Sequence, residues 1–439
     1  MFLKFHGATK EVGRSCVELA FSSNPSSAQN ISYAGNKTRF LLDCGIKLTA
    51  NSLEYPTKIE NPQEINAIFV SHAHLDHTGY LPHLIHEGFN APIYCTETTK
   101  ETTRMLLEDA HKIEAAEHRH PGYETRDIEE VMQLTRPVNY RQEITAGNAR
   151  CMFYDAGHIP GSSSILLNIA GKKILYTGDI KLEETRLIKG ADTNYKENPD
   201  ILIIESTYGS REHDSRAETE KKFLEQTNKT LNNGGSVIIP VFAVGRAQEI
   251  LLLLSKEAKE LNAPVYFEGM SKRVTQSYLA RPSGLKSAEE LRQAMKKVHF
   301  LKDEKDRANA VERQGVFIST AGMLSGGPVL NYIKHLGRDR KNSILLTGYQ
   351  GEGTNGRSLI NKGFVTIDNK IMDVKSKVFQ YDFSAHAGAS ELKSLIQKTK
   401  PRITIINHGD FEEAESLADY ARQFCKVYVP ELDEEINVE

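Results

Sequence analysis

Four metal-binding side chains stand within six residues of this chain, directly after a short apolar segment. The polar segment at 72–77 reads HAHLDH, and the apolar segment at 67–70 reads AIFV. A short apolar run of this kind predicts a buried strand. Alternate side chains of an extended segment share a face, so the first two histidines point in one direction, whereas the aspartate and the third histidine lie on the following turn. This arrangement favours two adjacent metal sites over a single one.

Imidazole and carboxylate groups together favour zinc or a similar first-row divalent ion. A site for two ions needs further ligands, and three candidates lie on glycine-bounded turns after strand patterns: His158, Asp179 and His408. Glycine lets the backbone bend sharply and approach an ion closely. A single histidine in such a place is more often a hydrogen-bond partner, so these residues indicate a metal centre only in combination with the first motif.

The composition limits the class of protein. A length of 439 residues predicts two domains. The five cysteines are scattered without a CxxC pair, which predicts a reducing compartment and argues against a disulfide scaffold or a thiolate zinc finger. The formal net charge of -3 gives no overall preference for nucleic acid, but this overall charge does not exclude a local basic groove. The sequence has no signal-peptide pattern and no apolar run near the roughly 18 residues of a membrane span, so we expect a cytoplasmic protein without a membrane partner.

The pattern of the chain changes near residue 209. Before this point, strand-like and helix-like patterns alternate, and two buried-strand patterns, at 173–179 and 200–205, each end on an acid. Residues 24–37 are polar and rich in Gly, Ser and Asn, which predicts an exposed hairpin loop. After residue 209, strands and helices follow one another repeatedly, as in a parallel α/β unit.

Two ordered series of motifs resemble a known superfamily. The first resembles the motifs of the metallo-β-lactamase fold: LLDCG with Asp43, SHAHLDH with His72, AGHIPGSS with His158 and YTGDI with Asp179. The second resembles the β-CASP branch of that superfamily: ESTYG with Glu205, DFSAHAG with His386 and INHGD with His408. The match covers essentially the whole chain, and within the branch it is most similar to the RNA-cleaving members, of the type of the polyadenylation endonuclease and its archaeal and bacterial relatives.

The resemblance implies an α/β fold in two domains. The metallo-β-lactamase domain, an αβ/βα sandwich, would comprise residues 1–208 and 378–439. A parallel α/β domain of the β-CASP type would be inserted at 209–377 and would cover the metal centre.

The resemblance also implies two zinc ions per chain and a role for each motif residue. One ion would be bound by His72, His74 and His158, and the other by Asp76, His77 and His408. Asp179 would bridge the two ions, and Asp43 would orient a ligand histidine or the reacting water. Water activated by the two ions would attack an RNA phosphodiester. His386 would protonate the leaving ribose oxygen, with Glu205 orienting this general acid, so the catalytic set comprises Asp43, Asp76, Asp179, Glu205 and His386.

The inserted domain is expected to bind RNA, most simply as a single strand. Hydroxyl groups and free backbone N–H groups at a strand-to-helix turn suit phosphate, and an aromatic ring can stack a base. The candidates for these contacts are Arg246, Ser319, Thr320, Ser325 and Tyr349. His213 also stands in a family-like context, with no role assigned.

Several alternatives stay open at this point. A DNA nuclease of the same branch would typically have an apolar residue in place of His408. An ester hydrolase of the lactamase fold would generally lack Glu205, His386 and the inserted domain. A catalytically silent scaffold subunit would generally have lost ligands. The sequence does not distinguish an endonuclease from a 5′→3′ exonuclease, and the resemblance allows a homodimer or a place in an RNA-processing complex.

Overall fold

The computed structural model describes residues 1–22, 37–49, 52–116, 121–256 and 261–438. The exposed loop predicted for 24–37 lies outside the described residues, except for its last position, which begins a strand. The chain forms a first domain, then an inserted domain, and then returns to the first.

The amino-terminal part alternates strands with a few helices. Within the described residues its strands are β1 (Phe2–Phe5), β2 (Val17–Ser22), β3 (Lys37–Leu42), β4 (Lys47–Leu48), β5 (Leu53–Glu54), β6 (Ala67–Phe69), β7 (Ile93–Thr96), β8 (Thr135–Val138), β9 (Glu143–Ala146), β10 (Ala149–Asp155), β11 (Ser163–Ile169), β12 (Lys172–Tyr176) and β13 (Ile201–Glu205). Its helices are α1 (Leu75–Thr78), α2 (Leu81–His86), α3 (Glu97–Ala116) and α4 (Thr125–Leu134), and a short 3₁₀ turn spans Pro62–Glu64.

The remaining elements form the inserted domain and the return to the first domain. The inserted domain contains α5 (Arg216–Asn232), β14 (Val237–Pro240), α6 (Arg246–Lys256), β15 (Val265–Phe267), α7 (Met270–Ala280), α8 (Ala288–Lys296), β16 (His299–Phe300), α9 (Glu304–Val311), β17 (Val316–Ser319), α10 (Val329–Leu336), β18 (Ser343–Leu346), α11 (Asn355–Lys362), β19 (Phe364–Ile367), β20 (Lys370–Asp373) and β21 (Lys377–Gln380). The return contains α12 (Ala389–Thr399), β22 (Ile403–Asn407), α13 (Phe411–Ala421), β23 (Lys426–Tyr428) and β24 (Glu435–Asn437).

Two mixed sheets pack face to face in the first domain. Over the described residues, their strand orders are β24-β1-β2-β3-β6-β7-β8 and β23-β22-β13-β12-β11-β10-β9. An apolar cluster fills the space between them, with Phe40 and Phe69 from the first sheet and Phe153 and Ile203 from the second. Helices α2 to α4 cover the outer face of the first sheet, and α12 and α13 cover that of the second. The predicted αβ/βα sandwich is therefore confirmed.

The central strands of the second sheet show why this sequence takes this place. Strand β13 reads ILIIE, and all its residues are buried. It pairs in parallel with β12 on one side and β22 on the other. A parallel strand covered on both faces needs a continuous apolar run, and this segment supplies one. Its final acid lies where the sheet ends, at the edge that faces the candidate site.

The inserted domain is built on a parallel sheet, as predicted. In the described residues the strand order is β16-β15-β17-β14-β18-β21, and every neighbouring pair runs parallel. Helices α5 to α8 contribute to an apolar cluster on one face, and α9 to α11 contribute to a cluster on the other. Strand β21 pairs with β18 from Lys377 to Gln380, so the predicted boundary between 377 and 378 falls within a strand of this sheet.

The two domains share an apolar cluster beside the first motif. Ala73 and Ile159 from the first domain belong to the same buried cluster as Val244 and Phe383. The carboxyl ends of the inserted strands therefore lie close to the loops that carry the candidate ligands. Ligands of α/β proteins bind at this edge of a sheet. Among the helices of the described residues, none combines the length and the apolar character that crossing a bilayer requires.

Candidate metal centre and substrate cleft

The first group of candidate ligands consists of three imidazoles and one carboxylate. His72 and His74 follow β6, His158 follows β10 and Asp179 follows β12. His74 Nδ1 lies 3.1 Å from His72 Nε2 and 3.2 Å from His158 Nε2. Asp179 Oδ2 lies 3.4 Å from His72 Nε2 and 3.6 Å from His158 Nε2. These four ligand atoms converge closely enough to bind one ion.

The second group shares Asp179 with the first. Its other oxygen, Oδ1, lies 3.4 Å from His77 Nε2 and 3.1 Å from His408 Nδ1. Asp76 Oδ2 completes the group, 3.9 Å from His77 Nε2 and 3.5 Å from His408 Nε2. Because each oxygen of Asp179 faces a different group, this carboxylate stands between two potential metal positions.

Two buried polar atoms indicate that the second group fits a metal ion. His77 Nε2 and Asp179 Oδ1 are buried and have no hydrogen-bond partner in the described part of the chain. A buried polar atom without a partner costs about 1–3 kcal/mol. A divalent cation is a partner that both atoms accept, since one is an imidazole nitrogen and the other a carboxylate oxygen. The donor set therefore fits a divalent metal centre.

The protonation states favour metal binding in the first group. Burial and the neighbouring imidazoles lower the pKa of His72 and of His158 well below the usual value. Neutral imidazole is the form that binds a metal ion. Burial by itself disfavours an ionised Asp179, but the surrounding imidazoles, first His408 and His77, hold the pKa of this carboxyl well below its usual range. The shared carboxylate is therefore negatively charged.

Asp43 lies behind the second group and orients His77. Its Oδ2 accepts hydrogen bonds from His77 Nδ1 at 2.6 Å, from the Ser71 hydroxyl at 2.7 Å and from the Tyr176 hydroxyl at 2.7 Å. Its Oδ1 accepts from the backbone N–H of Ser71 at 2.6 Å. The proton of His77 is thereby placed on Nδ1, which leaves Nε2 for an ion. Sequence reasoning missed Ser71 and Tyr176, because neither belongs to a ligand-type pattern.

Close backbone packing brings the ligand loops together. Gly45 lies against the first motif, and a Cβ at this position would stand 1.8 Å from the Asp76 carbonyl oxygen. Gly178 has a φ of +54°, and a Cβ there would stand 2.5 Å from Ser71 Cβ. His408 itself adopts a φ of 50°, which is uncommon for a residue with a side chain. Backbone strain at a candidate ligand is consistent with a functional role for this turn.

His386 and Glu205 form a pair beside the shared carboxylate. His386 Nδ1 donates to Glu205 Oε2 at 3.0 Å and lies 4.0 Å from Asp179 Oδ2. Glu205 is fixed in turn, because its Oε1 accepts from the backbone N–H of Ile180 at 2.7 Å. Burial opposes a charged ring, but the carboxylates of Glu205 and Asp179 raise the pKa of His386 to about 9. Ligand atoms of Asp179, Glu205 and His386 also lie within reach of one another, so a ligand role for His386 is an alternative to an acid role.

The candidate RNA contacts lie at the carboxyl edge of the inserted sheet. Arg246 begins α6, and its Nη1 is buried without a hydrogen-bond partner among the described residues. Burial and the nearby Arg216 lower the pKa of Arg246 to about 10, so the guanidinium stays charged at neutral pH. The preceding Gly245 packs against Ile159, next to His158. Arg246 therefore begins its helix next to a loop that carries a candidate ligand.

Two exposed aromatic rings lie on the loop that precedes Arg246 and on the loop beside it. Tyr349, which follows β18, is 49% exposed, and Phe242, which follows β14, is 38% exposed. A Cβ at Gly348, the neighbour of Tyr349, would stand 2.8 Å from Arg246 Nη1, so the tyrosine loop packs on the guanidinium. Sequence reasoning missed Phe242, since an aromatic residue after a strand usually belongs to the core.

The three hydroxyl candidates near β17 differ in accessibility. Ser325 is exposed and Thr320 is half-buried. Ser319 is completely buried, and its hydroxyl donates to Glu268 Oε1 at 3.2 Å. The Ser319 side chain therefore packs inside the inserted domain, away from the surface where RNA would bind.

The fold and the paired clusters define a metal-dependent hydrolase of the metallo-β-lactamase type. Family models match in three regions: a metallo-beta-lactamase superfamily domain at 33–206, a Beta-Casp domain at 247–359 and a Zn-dependent metallo-hydrolase RNA specificity domain at 371–430. A protein of Methanocaldococcus jannaschii named "Probable RNase MJ4" is 41% identical over 445 residues, which cover 100% of both chains. The chain thus belongs to the β-CASP branch of the metallo-β-lactamase superfamily, as its motifs implied.

Other relatives agree with this assignment. "RNase aCSPSF2" of Saccharolobus solfataricus is 32% identical over 441 residues, covering 100% of this chain and 85% of that protein. "Transcription termination factor FttA" of Methanococcus maripaludis is 35% identical over 457 residues, covering 96% of this chain and 69% of that protein. A crystal structure of a protein of unknown function from Enterococcus faecalis V583 has a TM-score of 0.61 at 14% identity, with 99% of both chains covered. At that identity, the likeness shows the fold alone.

Proposed function

We propose that this chain is a ribonuclease that uses two zinc ions to hydrolyse phosphodiester bonds of single-stranded RNA. The observation that carries the proposal is the pair of ligand clusters sharing Asp179, with the His386–Glu205 pair beside them. Relatives named as RNases and the RNA specificity domain support RNA as the substrate. An ester hydrolase of this fold would leave the His386–Glu205 pair and the inserted domain without a purpose.

The metal-binding roles follow from the two clusters. His72, His74 and His158 would bind one ion, Asp76, His77 and His408 the other, and Asp179 would give one oxygen to each. When bound, two zinc ions neutralise charge at the scissile phosphate and lower the pKa of the attacking water. Asp43 contributes indirectly, because its hydrogen bond to Nδ1 fixes the orientation of the His77 ring and turns Nε2 toward the ion.

His386 supplies the proton that the leaving group needs. Once the attacking water has released a proton to solvent, its oxygen bonds to phosphorus, the bond from phosphorus to the leaving ribose oxygen breaks, and His386 Nε2 transfers its proton to that oxygen. The Glu205 carboxylate accepts a hydrogen bond from His386 Nδ1, which leaves His386 Nε2 as the donor to the leaving oxygen. The raised pKa of His386, to about 9, keeps the ring protonated at neutral pH.

RNA is proposed to cross the carboxyl edge of the inserted sheet. The guanidinium of Arg246, whose Nη1 has no hydrogen-bond partner among the described residues, suits a backbone phosphate, and the exposed rings of Phe242 and Tyr349 suit stacked bases. Hydroxyls of Thr320 and Ser325 stand at the same edge. Bases are free to stack on such rings only in an unpaired strand, which favours single-stranded RNA.

The proposal is tested by digesting RNA labelled at its 5′ or its 3′ end, with and without a 5′ phosphate, in the presence of zinc. Internal cuts independent of the 5′ end indicate an endonuclease, and release of single nucleotides from the 5′ end indicates a 5′→3′ exonuclease. A DNA strand of the same sequence is the matched control. Cleavage of DNA without cleavage of RNA would replace the proposal with a DNA nuclease. Metal analysis should give two zinc ions per chain. Analytical ultracentrifugation would measure the oligomeric state and so test the homodimer. Membership in an RNA-processing complex and a cytoplasmic location also stay predictions.

A further inference from the structure

We infer that His213 is a positioning residue for His386. This inference rests on the proposed acid role of His386 and assigns a task to a histidine outside both ligand clusters. His213 lies in the segment 206–215, which joins β13 to α5, whereas His386 lies in the loop 381–388, which joins β21 to α12. These two segments are the covalent connections between the domains.

The ring of His213 is bonded at both nitrogens. Nδ1 donates to Asp382 Oδ2 at 2.7 Å, and Nε2 donates to the backbone carbonyl oxygen of His386 at 3.0 Å. A backbone carbonyl can only accept, so His213 is the donor in its contact with His386. The ring of Tyr208 packs edge-on against it, with centroids 4.6 Å apart. His213 is therefore fixed on three sides, and its side chain is only 14% exposed.

The hydrogen bond to His386 has no substitute. Among the described residues, no other group donates to the carbonyl oxygen of His386. The carbonyl of the preceding residue, Ala385, accepts instead from the candidate ligand His158 at 2.9 Å. The backbone N–H of the following residue, Ala387, donates to the Ile180 carbonyl at 2.6 Å. Ala385, His386 and Ala387 thus each have a separate backbone hydrogen bond, and the one to the His386 carbonyl comes from His213.

Neighbours of His213 join the same two segments. The carbonyl of Arg211 accepts from the backbone N–H of Ala389 at 2.9 Å. The Glu212 carboxylate accepts from the backbone N–H and the hydroxyl of Ser390, both at 2.8 Å. These contacts hold the segments together without His213, so its removal should move the loop around His386 without separating the domains.

The test is the His213→Ala variant of the full chain, loaded with zinc. Outer partners of catalytic groups typically contribute about 10–100-fold in activity, so kcat on RNA should fall by about that factor, while KM and zinc content stay close to those of the wild type. Bis(p-nitrophenyl) phosphate, whose leaving group departs without a proton, should be hydrolysed at nearly the wild-type rate. His213→Gln keeps an amide N–H for the His386 carbonyl and should recover part of the loss on RNA.

Two controls separate positioning from general damage. His299→Ala removes an exposed histidine that packs against Tyr266 in the inserted domain and has no contact with either cluster among the described residues, so it should leave both activities unchanged. Adding His213→Ala to His386→Ala should cause no further loss, because His213 is argued to act through His386. An equal loss on both substrates, or a full additional loss in the double variant, would overturn the inference.

A crystal structure of His213→Ala gives an answer that does not depend on the substrate. We expect the ring of His386 to leave its hydrogen-bonding position, 3.0 Å from Glu205 Oε2. An unmoved ring would refute the positioning role even if RNA cleavage is slowed. Failure of the wild-type enzyme to cleave RNA would instead refute the proposed function, and the two failures are therefore distinguishable.

Discussion

Replacing Glu205 with glutamine tests the electrostatic part of the proposed mechanism. The substitution keeps the size of the side chain and an oxygen that can accept from the Ile180 N–H, but it removes the negative charge beside His386. A group whose pKa is raised is protonated below that pKa and loses its proton as the pH rises through it. The acid form of His386 should therefore persist to higher pH in the wild type than in Glu205→Gln.

The size of the effect follows from the pKa of His386. It is raised from 6.5 to about 9, against the opposing effect of burial, by Glu205 first and then by Asp179. This rise corresponds to about 3 kcal/mol between the two protonation states. Bound ions neutralise the charge of Asp179, so Glu205 should account for most of the rise, on the order of 2 units. Simple titration then gives a rate roughly 20-fold below that of the wild type at pH 8.5, and within about twofold at pH 6.

The assay is kcat for RNA cleavage between about pH 5.5 and pH 10, with zinc content measured at each end. The bound ions act on both enzymes alike. The quantity to compare is therefore the shift in pH between the alkaline sides of the two pH–rate profiles. Glu268→Gln, which changes a buried acid of the inserted domain, is the matched control. Superimposable alkaline limbs would refute the claim that Glu205 maintains the charge of His386.

Four further predictions concern metal binding, chemistry, RNA binding and stability. Asp179→Ala should abolish cleavage and lower the zinc content, because its two oxygens face different clusters; substantial activity in a variant with verified metal content would remove it from the bridging role. His386→Ala should keep two zinc ions and its RNA affinity while cleaving about 10²–10⁴-fold more slowly; loss of a zinc ion would make His386 a ligand. Phe242→Ala and Tyr349→Ala should each weaken RNA binding by about 1–3 kcal/mol, and titrations that match the wild type would exclude base stacking there. Burial opposes ionisation of Glu18, but its histidine and arginine partners lower its pKa to about 2. Glu18→Gln should therefore lower the free energy of unfolding in urea by about 3 kcal/mol at pH 7, and this difference should shrink as the pH falls below about 4.5. An equal loss of stability at pH 3 would contradict the prediction.

The ligand clusters could be predicted because their residues stand at the ends of strands. A short apolar run fixes a strand, and the carboxyl ends of neighbouring parallel strands meet at one edge of a sheet. Asp179 and Glu205 therefore lie close together once β12 and β13 pair. His408 joins them because β22 pairs with β13. Local pattern and sheet geometry together place these residues, although their pairing to particular ions came from the family resemblance.

Residues that act through long-range contacts could not be predicted in this way. His213 contacts the carbonyl of His386 across 173 positions, and no periodicity links the two. The ring of Phe242 packs beside Gly322, which is distant in sequence, so its exposure depends on tertiary packing. Ser319 illustrates the opposite error: a hydroxyl at a strand end suggested a phosphate contact, but its side chain points to Glu268 inside the domain. The face on which a strand-end side chain lies is set by packing, and the motif alone does not show it.

Glu205 and His386 lie at the two connections between the first domain and the inserted domain. The chain enters the inserted domain directly after Glu205 and leaves it directly before His386, so the two residues are separated by 181 positions and joined by a hydrogen bond. The loop that carries His386 also accepts a hydrogen bond from His158 through the carbonyl of Ala385. Any movement of one connection relative to the other must therefore change the distance from the acid to its carboxylate, and with it the orientation of a candidate ligand. The acid, its carboxylate and a candidate ligand are therefore held by contacts that span the two connections, so the inserted domain and the metal centre are structurally linked at this point.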